Sequence, residues 1–233
     1  MRDMSRRRRK QQSQVVVDNG DSRMTSFLVT SGVISVVIII FISMASDYKI
    51  GPAEGEIIPN IGGEVYENGE WSDFDLHSMF DRGWSEGEDS KWIYIQVLDT
   101  DCPYCYNEAD EMSDRYDSYG TKADFLSVVV ELSITGHESS KAEISAFKDK
   151  TNFGTDSNDG DGCNSGRNNC ASREGGVHNW QYVDDLNGDS MGSWEVGGTP
   201  FHIILKPNGE VAWNQAQRDG QSIEEGLAIF LGD

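Results

Sequence analysis

The feature that most constrains this chain is Cys102-Pro103-Tyr104-Cys105, set between an apolar run and a helical pattern. Two cysteines separated by two residues can close a small disulfide ring or supply half of a zinc site. Before them, Trp92, Ile93, Tyr94, Ile95, Val97 and Leu98 read as a buried strand, short and rich in β-branched and aromatic side chains. After them, Ala109, Met112 and Tyr116 recur at helical spacing. Pro103 suits a first helical turn, because proline has no N–H to leave unpaired. Cys102 is therefore expected where a strand hands over to a helix, with an exposed sulfur facing the helix's free N–H groups. Their partial positive charge favours thiolate over thiol, and the thiolate is the nucleophile of disulfide exchange. Cys105, one turn further in, would then resolve the mixed disulfide.

This strand–CxxC–helix order resembles the thioredoxin superfamily. A second landmark, Gly197-Gly198-Thr199-Pro200 followed by Phe201 to Leu205, resembles its Thr-Pro motif and central strand. Lys206-Pro207-Asn208-Gly209 then reads as a hairpin turn into Glu210 to Trp213. Glu108 completes a CxxCxxE pattern similar to the membrane-tethered TlpA/ResA branch, and the resemblance spans roughly residues 60 to 233. It implies an α/β thioredoxin fold, a central mixed sheet with helices on both faces, preceded by an N-terminal hairpin. It also implies a cis Thr199–Pro200 bond packed beside the cysteines. Thr199, Pro200, Pro103 and Tyr104 would meet an extended substrate segment, much as in strand addition. The activity implied is reduction of disulfides in exported proteins, with electrons from a membrane donor and no cofactor beyond the Cys102–Cys105 pair. Two positions depart from the pattern. Gln96 stands where these proteins carry a buried aspartate, which leaves Glu108 as the candidate proton relay. Asp101 replaces the usual aromatic, so with Asp99 it opposes the thiolate that the helix terminus favours. Pro-Tyr between the cysteines resembles glutaredoxins, but no glutathione-binding residues are identifiable.

Charge is distributed unevenly. Residues 1–24 carry seven Arg/Lys against three Asp, whereas the whole chain is at −21. The remainder is therefore strongly acidic, which excludes nucleic-acid binding through phosphates. Residues 25–46 are 22 residues without a charge, long enough at ~1.5 Å per residue to cross a hydrocarbon core of ~30 Å. They read as a single transmembrane helix, with a cleavable signal as the competing reading. The basic tail (1–24) then stays cytoplasmic and the acidic remainder lies outside. Residues 47–60, with Gly51, Pro52, Gly55 and Pro59, read as a tether, and 61–233 as the thioredoxin-like domain.

Within that domain, Asn68-Gly69 between Glu64-Val65-Tyr66 and Trp71 to Leu76 predicts a tight hairpin. A buried strand is expected over 124–132. Ser140 with Glu143 predicts a capped helix through Phe153, and Ser222 with Glu225 caps a C-terminal one. Residues 154–177 are rich in Asp, Asn, Gly and Ser and read as an insertion. Its Cys163 and Cys170 are expected to form a structural disulfide, six intervening residues being unlike a redox motif and wrong for zinc. Asp156, Asp159 and Asp161 offer weak calcium ligands. Asp185-Leu186-Asn187-Gly188-Asp189 begins like a calcium loop, but Ser190 and Val196 break the pattern, so a helix-capping turn is expected. His77, His137, His178 and His202 show no metal spacing, and no metal site is expected. The sequence thus points to a membrane-anchored thiol–disulfide oxidoreductase acting on protein thiols and disulfides. The alternatives are a disulfide oxidase or isomerase, or a non-catalytic adaptor binding a partner or calcium through the insertion.

Overall fold

The computed structural model describes residues 49–135, 138–152, 163 and 170–232. Contacts divide the chain into two units, Met1–Asp47 and Tyr48–Asp233, and every described residue belongs to the second. The predicted span, His137 and the insertion's Asp156, Asp159 and Asp161 lie outside the described residues. Among the described residues no helix is long and apolar enough to cross a membrane.

The central strand β3 (Trp92–Leu98) is buried on both faces, with Ile93, Ile95 and Val97 on one and Tyr94, Gln96 and Leu98 on the other. Helix α1 (Pro103–Tyr119) returns the chain to β4 (Ala123–Val129), parallel to β3. Helix α2 (Lys141–Asp149) leads on to β5 (Gln181–Asp184), parallel to β4. Beyond the short α3 (Asp189–Ser193), β6 (Phe201–Leu205) runs antiparallel on the other side of β3 and pairs with β7 (Val211–Asn214). The hairpin β1 (Gly62–Glu67) and β2 (Glu70–Asp75) extends the β5 edge, giving the order β2-β1-β5-β4-β3-β6-β7. Asn68 at φ 52° and Gly69 at φ 86° make the tight turn that the Asn-Gly pair predicts. One face buries Ala109 and Met112 of α1, Ile144 and Phe147 of α2, and Leu227 and Leu231 of α4 (Ile223–Leu231). The other face is covered by Trp194, Val196, Ile58, Ile61 and Leu76, so one short helix and loops stand where helices were expected.

Several boundaries shift for identifiable reasons. Strand β4 stops at Val129 instead of Leu132, where the Leu132 N–H turns to the Asp99 carboxylate at 3.0 Å. Helix α2 ends at Asp149, before Phe153, with Lys150 in the left-handed region. The Arg173 guanidinium takes the Phe147 and Lys148 carbonyls at 2.7 and 3.1 Å, satisfying groups left free at that end. Ser140 caps α2 as expected, but Glu143 reaches the Cys163 N–H at 3.1 Å. The Ser222–Glu225 capping box forms in full. Asp185 accepts from the N–H groups of Asp189 and Ser190 at 3.1 and 2.9 Å, a turn that opens α3.

The segment from Lys49 to Asn60 is not a free tether. Gly55 N–H donates to the Val211 carbonyl at 2.9 Å, Val211 N–H to the Glu56 carbonyl at 2.8 Å, and Ile58 N–H to the Gly209 carbonyl at 3.1 Å. Glu54 holds the Arg218 guanidinium through two contacts of 2.6 Å. This segment covers the outer edge of β7, whose backbone groups would otherwise lack partners.

Candidate active site

The cysteines sit where β3 ends and α1 begins. Asp99 shapes the join: its carboxylate accepts from Asp101 N–H at 2.8 Å and its carbonyl from Cys102 N–H at 3.1 Å. Cys102 takes the N-cap position, Pro103 follows at the first helical turn, and Tyr106 N–H makes the first helical bond to the Cys102 carbonyl. Strand pairing delivers the second landmark, because Val97 lies opposite Phe201. The Thr199–Pro200 bond is cis, and in the thiol form Cys102 Sγ–H donates to the Thr199 carbonyl at 3.4 Å.

Cys102 is not the exposed thiol that its place on the helix suggested. It is 4% exposed and Cys105 1%, because the cis-proline loop lies over the sulfur and both residues join the core. Pro103 and Tyr104 are exposed beside them, Tyr104 by 73%. An open groove of 430 Å³ runs along Gly197 to Phe201 and is bordered by Glu195, Gln215 and Ala216.

The two thiols are driven apart in acidity. The Cys105 thiol hydrogen-bonds Cys102, and with the N–H groups of Cys105 and Tyr104 it lowers Cys102 to about 6 against the effect of burial. Burial, followed by the neighbouring Cys102 sulfur, pushes Cys105 well above the ordinary thiol value. The opposing influences of acidic neighbours and helix terminus thus resolve in favour of the thiolate at Cys102. Cys105 keeps its proton.

Beneath the pair lies a buried polar cluster. Glu108 Oε1 accepts from Arg115 Nη1 at 2.6 Å and His202 Nε2 at 2.9 Å, and Oε2 from Gln96 Nε2 at 2.9 Å. Gln96 in turn accepts from Ser127 Oγ at 3.2 Å, and the Tyr94 hydroxyl bonds His202 Nδ1 at 2.8 Å. Burial pushes the Glu108 carboxyl up, but His202 and Arg115 prevail and hold it down to about 2. A carboxylate so strongly ionised is a poor proton acceptor at neutral pH. Glu108, the residue expected as a relay, joins α1, β3 and β6 through these bonds. The sequence read Tyr94 only as part of a strand and His202 only as a histidine without metal spacing, and Arg115 was not singled out. His202 stands two residues after Pro200 and Arg115 seven after Glu108 on one helical face, spacings that could have drawn attention to both.

Cys163 and Cys170 form the expected disulfide, buried, with Cα atoms 5.0 Å apart. The chain beyond it leans on α1. The Tyr106 hydroxyl bonds Ser172 Oγ at 2.9 Å, and His178 Nε2 donates to the Ala109 carbonyl at 3.0 Å. Burial, then Arg173, pushes His178 well below the usual imidazole range, which leaves Nδ1 to accept from the Tyr182 hydroxyl at 2.5 Å. Among the described residues no group of His, Cys, Asp or Glu is arranged to hold a metal ion.

No family model matches the chain, and no curated protein matches it. Among solved structures it is similar to the thioredoxin domain of a thiol-disulfide oxidoreductase from Bacteroides vulgatus, at 14% identity and a TM-score of 0.45, covering 77% of this chain and 98% of that one. It is also similar to a secreted Mycobacterium tuberculosis disulfide oxidoreductase, at 14% identity and a TM-score of 0.38, covering 60% and 73%. Enterococcus faecalis AhpC is a third, at 14% identity and a TM-score of 0.49, covering 76% and 89%. The sheet order, the CxxC heading α1 and the cis proline facing it together make this a thioredoxin fold.

Proposed function

We propose that this protein is a thiol–disulfide oxidoreductase with Cys102 as nucleophile and Cys105 as resolving thiol. The observation that carries the reading is the split between them, one lowered to about 6 and the other raised, beside the Thr199 carbonyl. A partner's extended segment enters along the groove at Gly197 to Phe201, with Pro103 and Tyr104 exposed on the other side of the sulfur. The Cys102 thiolate attacks one sulfur of the partner's disulfide, and the other leaves as a thiolate that takes a proton. Cys105 then gives up its proton and attacks Cys102 Sγ, which frees the partner's second thiolate. The products are a reduced partner and a Cys102–Cys105 disulfide: two electrons have passed to the partner, with one proton released by Cys105 and the second taken from solvent. A membrane donor restores the dithiol. Residues 25–46 anchor the chain with its basic tail inside, and the substrates are exported proteins.

An insulin-reduction assay tests the catalytic core. Activity should vanish in Cys102→Ser, while Cys105→Ser should accumulate mixed disulfides; activity surviving Cys102→Ser would reject the reading. One observation favours a second reading, disulfide oxidation. A lowered Cys102 stabilises the reduced pair and makes the disulfide more oxidising. The reduction potential of the pair decides. A value near about −270 mV means a reductant, and one near about −120 mV an oxidant.

A further inference from the structure

The groove beside the cysteines carries a side chain that the proposed exchange does not use. Glu195 stands exposed on its border, where α3 gives way to the cis-proline loop. Its neighbours fix it there. Trp194 and Val196 on either side are buried, and their N–H groups donate to the Ser190 and Met191 carbonyls at 2.8 and 3.0 Å. Glu195 itself holds φ 57°, a left-handed backbone uncommon for glutamate. Beyond it the groove runs over bare backbone. A Cβ on Gly197 or Gly198 would meet nothing within 4 Å, so an extended segment can lie close against this stretch. Thr199 follows Glu195 four residues on, and chain of that length reaches at most about 14 Å. A partner whose cysteine faces Cys102 therefore brings the side chains within about four positions of it past Glu195.

Charge at this end of the sheet has one sign. The loops after β3, β4 and β5 and the turn after β7 all lie at the redox end, because β3, β4 and β5 run parallel, β6 opposes them and β7 opposes β6. They place Glu131, Glu138, Asp189, Glu195 and Asp219 at the surface, and among the described residues none of these meets a Lys or Arg. Among the described residues the only Lys or Arg in these loops is Arg218, which Glu54 holds through two contacts of 2.6 Å. Lys141, which opens α2 at the same end, is held by Glu64. The opposite end is mixed. Lys49, Arg82, Lys91, Lys122 and Lys206 stand there among acids that include Glu56, Asp81, Glu88, Asp124 and Glu210. The one-signed field thus belongs to the redox end and not to the domain at large.

We infer that Glu195 is a specificity-determining residue, selecting partner segments that carry Lys or Arg within about four positions of the cysteine to be reduced. The inference deepens the dithiol reading above and rests on it. A cation on the arriving segment is drawn by the whole acidic end during approach and meets Glu195 once the segment lies in the groove. A carboxylate in its place is repelled by both. The preference acts mainly on the rate of capture, so salt weakens it.

The test uses the full chain, reduced and held in a non-ionic detergent, with two peptides whose single cysteine is in mixed disulfide with 2-mercaptoethanol. One peptide carries two Lys within four positions of the cysteine, and the other carries two Glu. Each peptide disulfide is reduced to two thiols as the Cys102–Cys105 pair is oxidised, and the peptide thiol released gives the rate. The Lys peptide should react roughly tenfold faster at about 0.01 M salt, and the two rates should converge towards about 1 M. Glu195→Lys should bring the low-salt ratio close to one, with Glu195→Gln in between. Equal wild-type rates at low salt, or a faster Glu peptide, would overturn the charge selection alone. A wild-type ratio that survives Glu195→Lys unchanged would overturn the role of Glu195. Reduction of neither peptide would instead remove the dithiol reading, and the inference with it.

Discussion

Glu108 shows how one side chain can be fixed in charge by its neighbours. With Arg115 and His202 on one oxygen and Gln96 on the other, it stays ionised although it is nearly buried. Its carboxyl is held at about 2 in the fold against 4.5 as an ordinary glutamate, so the stabilisation is full above about pH 4.5 and is lost as pH falls towards 2. That difference corresponds to about 3 kcal/mol. Glu108→Gln should therefore lower stability at neutral pH by a similar amount and flatten the acid limb of the unfolding curve; urea titrations at several pH values measure both. The Cys102 thiolate has a separate support in the Cys105 thiol. Cys105→Ala should move the thiolate titration, followed by ultraviolet absorbance or alkylation rate, upward from about 6 by roughly one unit. The place of Cys102 at the head of α1 was legible from the CxxC and the helical pattern behind it. The ion cluster was not, because Glu108 meets His202 through strand pairing and not through nearness in sequence.

At the level of elements, local signals were read well and distant ones poorly. Asn68-Gly69 turns the hairpin, Ser140 and Ser222 cap their helices, and Asp185 opens α3, each within a few residues of its partner. Glu143 looked like the second half of a capping box, yet it serves Cys163 twenty residues on. That bond, the Cys163–Cys170 disulfide and the Arg173 guanidinium fasten the chain between α2 and β5 against both helices. Closing so short a ring limits the unfolded chain only modestly, so replacing both cysteines with serine should cost about 2 kcal/mol. The melting temperature should fall by about 4–8 °C while insulin reduction persists. A fall in activity equal to that of Cys102→Ser would instead give the second pair a share in the chemistry.

Across the whole molecule, the strand order that joins Cys102 to Thr199 follows from two motifs, and a fold with β3 at its centre could be inferred from them. What covers the far edge of the sheet could not. Residues 54–58 are tied to β7 and to Arg218 by contacts spanning more than 150 positions, and the run 47–60, with two glycines and two prolines, gives no local sign of such partners. A shortened protein beginning at Ile61 would uncover a raw strand margin, with carbonyls and amides free to recruit the same strand from another copy. Sizing by light scattering should find that version self-associating, while one beginning at Tyr48 stays monodisperse. The stretch that looked like a leash is thus also a hem, sewn along the border of the sheet so that it does not fray into its neighbours.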